Sequence, residues 1–264
     1  MPIACREQLR PLSREMFSPL SYTIFRDALA VRSELGRFFD EKHYIRALAL
    51  QRDDLSLEVP VCVSHQTFEK MYFLDALVAA GAILEFKATE SLIPRHRTQL
   101  LHYQMLTGLS CGLLINLRPE KITREYVNCL ISPADRRNFH VTISEWTMDL
   151  PGAKSFYSIL TSLLQDWGNC LELALYEEAL THFLGGEAEV VHPVRVHIDG
   201  TDLGHQAFRL AAKHIAFKLT AFDNETSQER FASHAQSLLR HTELKALLWA
   251  NLARHNVTFR SLKA

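Results

Sequence analysis

The sequence predicts an α/β protein in which a small mixed sheet flanked by helices, in the order α-β-β-β-α-β, occurs twice. Three observations carry that expectation. Helical and strand periodicities succeed one another through the first half, glycines and prolines punctuate them, and an ordered set of residues in the first half returns in the second at a nearly constant shift. A length of 264 residues suits two domains of moderate size. A hydrophobic fraction of 47% and a charged fraction of 22% supply enough apolar material for two cores.

The elements follow in order. From Ser21 to about Leu50 the apolar residues Ile24, Ala28, Leu29, Leu35, Phe38, Phe39, Ile45 and Leu48 recur at helical spacing, with Gly36 as a break or a close-packing point. Leu57 to Ser64 reads as a strand, and Pro60 hints at an edge position. Lys70 to Ala80 and Ala82 to Ala88 are two further β-rich runs separated by Gly81, hence a hairpin. Pro94 opens a helix that ends near Gly108. Cys111 to Leu117 is a short buried strand. Residues from about Leu117 to Gly152 carry Pro119, Pro133 and Pro151 among many charges and read as the connection, with Val141 to Met148 as a candidate extra strand.

The second half repeats the first. Gly36, Tyr44 and Leu48 are answered by Gly168, Tyr176 and Leu180, all at a shift of 132. Pro60-Val61 is answered by Pro193-Val194 at a shift of 133, and the run Leu113-Leu114-Ile115-Asn116 by Leu247-Leu248-Trp249-Ala250-Asn251, its leading leucines at a shift of 134. These ordered anchors argue for duplication, with residues 1–130 as one domain and 131–264 as a second copy.

Charge and cysteine content narrow the function. The formal net charge is −1, so the chain is not basic overall; any nucleic-acid contact is expected to be local, weak alone or supported by a partner. The five cysteines are scattered, with no C-x-x-C pair, which argues against zinc knuckles and cysteine-ligated clusters. With no export signal and no apolar run of spanning length, a soluble cytoplasmic protein is expected, without a membrane partner. His182, His192, His197, His205 and His214 show no metal-ligand spacing.

One stretch, MYFLDALVAAGAILEFKATE, carries chemistry. Along a strand, residues two apart share a face, so Glu85 and Lys87 point the same way while Phe86 points into the core. A turn at Gly81 brings Asp75 across from them. Two carboxylates and an ammonium then converge at one sheet edge, which is what hydrolysis of a phosphodiester with Mg²⁺ requires.

Asp75 followed by Glu85-Phe86-Lys87 resembles the D…(D/E)-x-K centre of PD-(D/E)xK nucleases. Gln99-Leu100-Leu101-His102-Tyr103 is similar to the Q-x-x-x-Y motif of the RecB-like branch, and Gly36…Glu41-Lys42-His43-Tyr44 is similar to the motif of the bacterial GxxExxY family. The resemblance spans residues 21–117 and implies a restriction-endonuclease-like core. It implies that Asp75 and Glu85 hold Mg²⁺ or Mn²⁺ together with the Phe86 carbonyl, and that Glu41 reaches the ion directly or through water. Lys87 is implied to orient or deprotonate the attacking water, and Gln99 and Tyr103 to position the lysine or touch phosphate. Arg95 and Arg97 are candidate phosphate contacts, whereas His96 and His102 read as local hydrogen-bonding residues. One departure is Phe73, where relatives often carry arginine.

Aligned at a shift of 133, the second copy has Phe208, Lys218 and Thr220 at the places of Asp75, Glu85 and Lys87, and Leu173 at that of Glu41. The expectation is a nuclease acting on nucleic acid, DNA foremost, fused to a catalytically dead copy in a pseudo-dimer with one working centre. The alternative is an inert scaffold or binding subunit of a larger defence or repair complex, with a protein partner supplying substrate grip.

Overall fold

The computed structural model describes residues 2–264, which separate into two compact units, Met1–Pro133 and Ala134–Ala264. The first unit runs β1 (Ile3–Cys5), α1 (Arg14–Leu35), α2 (Glu41–Ala49), β2 (Leu55–His65), β3 (Phe68–Val78), β4 (Ala82–Lys87), α3 (Pro94–Thr107), β5 (Cys111–Asn116) and β6 (Thr123–Asn128). Its six strands form one sheet in chain order. All neighbours are antiparallel except β4 and β5, the pair joined through α3.

Ser13 caps α1 by accepting from the Met16 N–H, and Gly36, at φ 77°, closes it. Tyr44 then ties the two helices together: its hydroxyl donates to the Gly36 carbonyl at 2.9 Å and accepts from the Phe39 N–H at 3.2 Å. Phe17, Ile24, Ala28 and Val31 of α1 and Tyr44, Ile45 and Leu48 of α2 pack on the sheet face carrying Ala76, Val78, Leu84, Phe86, Leu113 and Ile115. That face is one half of the strand alternation, so the odd-numbered residues of β4 are left for the opposite face.

The hairpin between β3 and β4 differs from the sequence expectation in its mechanism. Its left-handed residues are Ala79 (φ 48°) and Ala80 (φ 52°), with the Gly81 N–H closing on the Val78 carbonyl at 3.0 Å. Gly81 is required for a close approach instead: a Cβ there would stand 2.2 Å from the Arg10 carbonyl oxygen and 2.6 Å from Leu12 Cγ. Pro60 lies one residue beyond the β1–β2 ladder, which ends at Cys5↔Val61, and its carbonyl still accepts the Arg6 N–H at 3.2 Å, so β2 is an edge only over its first residues, Leu55 to Val59. The stretch read as a connection contains β6, which closes one side of the sheet.

The second unit opens with a 3₁₀ turn (Asp135–Arg137) and β7 (His140–Ile143). It continues with α4 (Ala153–Trp167), α5 (Leu173–Phe183), α6 (Glu187–Val190), β8 (Val191–Ile198), β9 (Thr201–Ala212), β10 (Ile215–Thr220), α7 (Glu225–Arg240), β11 (Ala246–Ala253) and β12 (Asn256–Lys263). The strand order is β8-β9-β10-β11-β12-β7. Again one hairpin follows another, β10 and β11 are parallel across a helix, and β12 returns antiparallel. Tyr176 donates to the Gly168 carbonyl at 2.6 Å, and Gly168 has φ 79°. Among the described residues, no helix is long and apolar enough to cross a membrane.

Candidate active site

The ladder between β3 and β4 stops at Ala76↔Leu84, while β4 runs on beside β5 to Lys87↔Asn116. Beyond that point Asp75 substitutes for the missing strand partner: its Oδ2 accepts the Phe86 N–H at 3.0 Å. β4 is buried along its length, with Phe86 in the helix-side core and Glu85 and Lys87 together on the other face. Glu85 is fully buried. Lys87 Nζ donates to Glu85 Oε1 at 2.5 Å and stands 3.9 Å from Glu41 Oε2. Glu41 is the first residue of α2, and its Oε1 accepts the Ala88 N–H at 3.0 Å, which locks the start of that helix to the end of β4.

Glu85 Oε2 is buried with no hydrogen-bond partner among the described residues. An unmet buried carboxylate oxygen is costly, and such sites commonly mark function or an unseen ion. The cost appears as a displaced titration. Burial first, and the neighbouring Asp75 charge second, push the Glu85 carboxyl up to about 7, against the pull of Lys87. Burial likewise raises Asp75, partly offset by the Phe86 N–H. For Lys87, burial works downward, but the charges of Glu85, Glu41 and Asp75 outweigh it and the net direction is up. The lysine is therefore an ammonium, and the carboxylates hold protons more tightly than free ones do.

Among the described residues, no group of three or more His, Cys, Asp or Glu side chains is arranged to hold a metal ion. The trio Asp75, Glu85 and Glu41 is thus not preassembled, because Glu41 is engaged with Ala88 and drawn to Lys87. The second-half histidines form no such group either. A pair of carboxylates with one orphaned oxygen still matches Mg²⁺, which usually takes one or two carboxylates and completes its shell with water.

Gln99 and Tyr103 share a face of α3, with Gln99 Nε2 donating to Tyr103 Oη at 3.2 Å. Tyr103 is buried within electrostatic reach of Glu85, Asp75 and Lys87, and burial raises its hydroxyl. His96 accepts the Ile93 N–H through Nδ1 at 3.3 Å, a local cap. His102 is buried edge-on to Tyr72, ring centroids 4.9 Å apart. Arg97 pairs with Glu125, leaving Arg95 exposed.

Two residues escaped sequence reasoning. Asn116 clamps the chain after β4: its side chain accepts the Thr89 N–H at 3.2 Å and donates to the Thr89 carbonyl at 2.8 Å. Arg118 donates from Nε to the Ala88 carbonyl at 3.1 Å and lines a shallow depression with Asp40, Glu41 and Lys42. The available signal was position alone, directly after the strand parallel to β4.

The second unit places other side chains at the same strand positions. Lys218 lies beside Trp249 in the parallel pair as Glu85 lies beside Leu114, and Thr220 lies beside Asn251 as Lys87 lies beside Asn116. Asn251 accepts the Phe222 N–H at 2.8 Å and donates to its carbonyl at 3.0 Å, repeating the Asn116 clamp.

Residues 18–128 match the family model of the PD-(D/E)XK nuclease superfamily, a nuclease-type fold, over less than half of the chain. Among solved structures, the crystal structure of SSO0001 aligns with 46% of this chain at 18% identity and a TM-score of 0.28, a likeness too slight to inform fold or function. The aligned part spans 56% of that protein's length. No curated protein matches.

Proposed function

We propose that the first unit is a divalent-cation-dependent nuclease with Asp75, Glu85 and Lys87 at its centre. The observation that carries this reading is the fully buried Glu85, titrating near 7, with one oxygen unpartnered beside a second carboxylate and an ammonium. A purely structural role gives no reason to bury that arrangement, since replacing a buried ion pair with apolar residues is often neutral or stabilising.

Asp75 and Glu85 would hold Mg²⁺ or Mn²⁺, with Glu41 as an outer partner. When bound, the ion would polarise the phosphoryl oxygen and acidify water. Lys87 remains protonated, so its part is to donate: it orients the attacking water and stabilises the charge that develops on the phosphate oxygens. Gln99 and Tyr103, bonded to each other on α3, would position that ammonium or contact phosphate. Nucleic acid, DNA foremost, is the substrate class, with a protein partner supplying the grip that a net charge of −1 does not.

The second unit is read as a degenerate copy of the first. The shared order of five strands, β2 to β6 and β8 to β12, the Tyr–Gly tie and the paired asparagine clamps support duplication. Lys218 in place of Glu85 removes a metal ligand.

Metal-dependent cleavage of labelled single- and double-stranded DNA and RNA, wild type against Lys87→Ala, tests the reading. Cleavage in Mg²⁺ or Mn²⁺ that the variant loses supports it and sorts the substrate class. No cleavage by wild type, together with no Mn²⁺ binding, favours an inert scaffold or binding subunit.

A further inference from the structure

The second unit holds a cleft that the nuclease reading leaves unused. The β9–β10 ladder ends at Leu210↔Ala216, although β9 runs back to Thr201 along β8 and β10 runs on to Thr220 along β11. Between the separated strands and α7 lies a cavity of about 360 Å³, within the usual range of about 300–1,000 Å³ for small-molecule sites.

Its walls are aromatic. Phe208 and Phe231 are half-buried, and Phe231 is fixed from behind by Trp249, with ring centroids 4.6 Å apart. Two of its polar groups are cations and one is a carboxylate. Lys218 Nζ lies 3.0 Å from Glu177 Oε1, and Arg209 NH1 lies 3.6 Å from Glu177 Oε2, so two cations share one carboxylate. The Arg209 Nε is buried with no hydrogen-bond partner among the described residues. His234 and Gln206 complete the rim.

This pairing of flat apolar walls with surplus positive charge has a specific complement. Aromatic rings stack on nucleobases of any identity, and Arg and Lys take phosphate. The place where the first unit offers carboxylates to a cation here offers an ammonium, so phosphate is met directly and no divalent ion is needed.

We propose that this cavity binds a nucleoside phosphate without metal, the base against Phe208 and Phe231 and the phosphate on Lys218 and Arg209. The inference rests on reading the second unit as a copy of the nuclease fold. Its test runs in EDTA, so the result is independent of whether the first unit cleaves anything.

Calorimetric titration of the full chain with 2′-deoxyadenosine 5′-monophosphate and with a single-stranded deoxyadenosine tetramer, both in EDTA, reads the site. Wild type is expected to bind, and Lys218→Glu to weaken binding tenfold or more. Phe208→Ala is expected to weaken it as well. Lys263→Glu, which makes the same charge change at an exposed position outside the cavity, is expected to bind as wild type. Because Lys218 is half-exposed, its substitution leaves the fold in place, which circular dichroism verifies. Binding of the mononucleotide identifies a free-nucleotide site, and binding of the tetramer alone identifies a site for one residue of a strand. No heat with either ligand overturns the proposal, as does binding that survives Lys218→Glu or falls equally with Lys263→Glu.

Discussion

Glu85→Gln tests the site without reference to substrate. The replacement keeps shape and keeps an oxygen that can accept from Lys87, but it removes the titrating group. In the folded chain Glu85 titrates near 7, against 4.5 for an ordinary glutamate. Between those values the unfolded chain has released a proton that the folded one retains. Stability therefore falls as pH rises, by about 1.4 kcal/mol per unit or about 3 kcal/mol across the window. The contribution is fully present below pH 4.5 and is lost as pH passes 7. Urea unfolding of wild type and Glu85→Gln at intervals from pH 4 to 8, without metal, measures the difference curve. The variant is expected to gain on wild type by about 3 kcal/mol between the two ends. A flat difference curve would show that Glu85 is not held protonated and would remove the physical basis for the site.

Four further outcomes follow from the same geometry. Mn²⁺ must displace the Glu85 proton, so affinity measured by calorimetry should rise roughly tenfold between pH 6 and pH 8 in wild type, and pH-independent binding would refute the displacement. Asp75→Asn should bind Mn²⁺ more weakly at either pH while leaving far-ultraviolet dichroism unchanged, because Asn still accepts the Phe86 N–H; undiminished Mn²⁺ binding would place the ion elsewhere. Lys87→Ala should lower the single-turnover cleavage rate by about 10²–10³-fold with little change in Mn²⁺ affinity, whereas a change in affinity alone would reassign the lysine to structure. Gly81→Ala should lower the thermal midpoint, costing about 1–3 kcal/mol as the strap at Arg10–Leu12 is displaced, and a neutral effect would contradict the close approach.

Much of the first unit was legible because its signals are local. Alternation alone places Phe86 in the core with Glu85 and Lys87 opposite, and Pro94 and Gly108 bracket α3. The Gly36–Tyr44 spacing was visible as an anchor, but its meaning was not, since a hydroxyl closing on a carbonyl eight residues back depends on the path between two helices. β6 was hidden because only Val127 of its six residues is buried, which leaves no period-two pattern. β7 is exposed at every position, and the candidate strand at Val141 to Met148 caught only part of it. The Asp75–Phe86 bond depends on where two strands part, and no residue type announces that point.

The position of β7 bears on how the chain matures as it is made. In the first unit each strand pairs with the one just synthesised, so the sheet grows outward from β1 and is finished by Asn128. In the second, β7 is among the earliest segments to emerge, yet its neighbour is β12, which ends at Lys263. The loop it must close is long, and long-range pairing is slow. The second sheet stays incomplete until β12 has been made, with β7 as a waiting edge. Truncation at Asn256 would remove β12 and leave β7 without its partner.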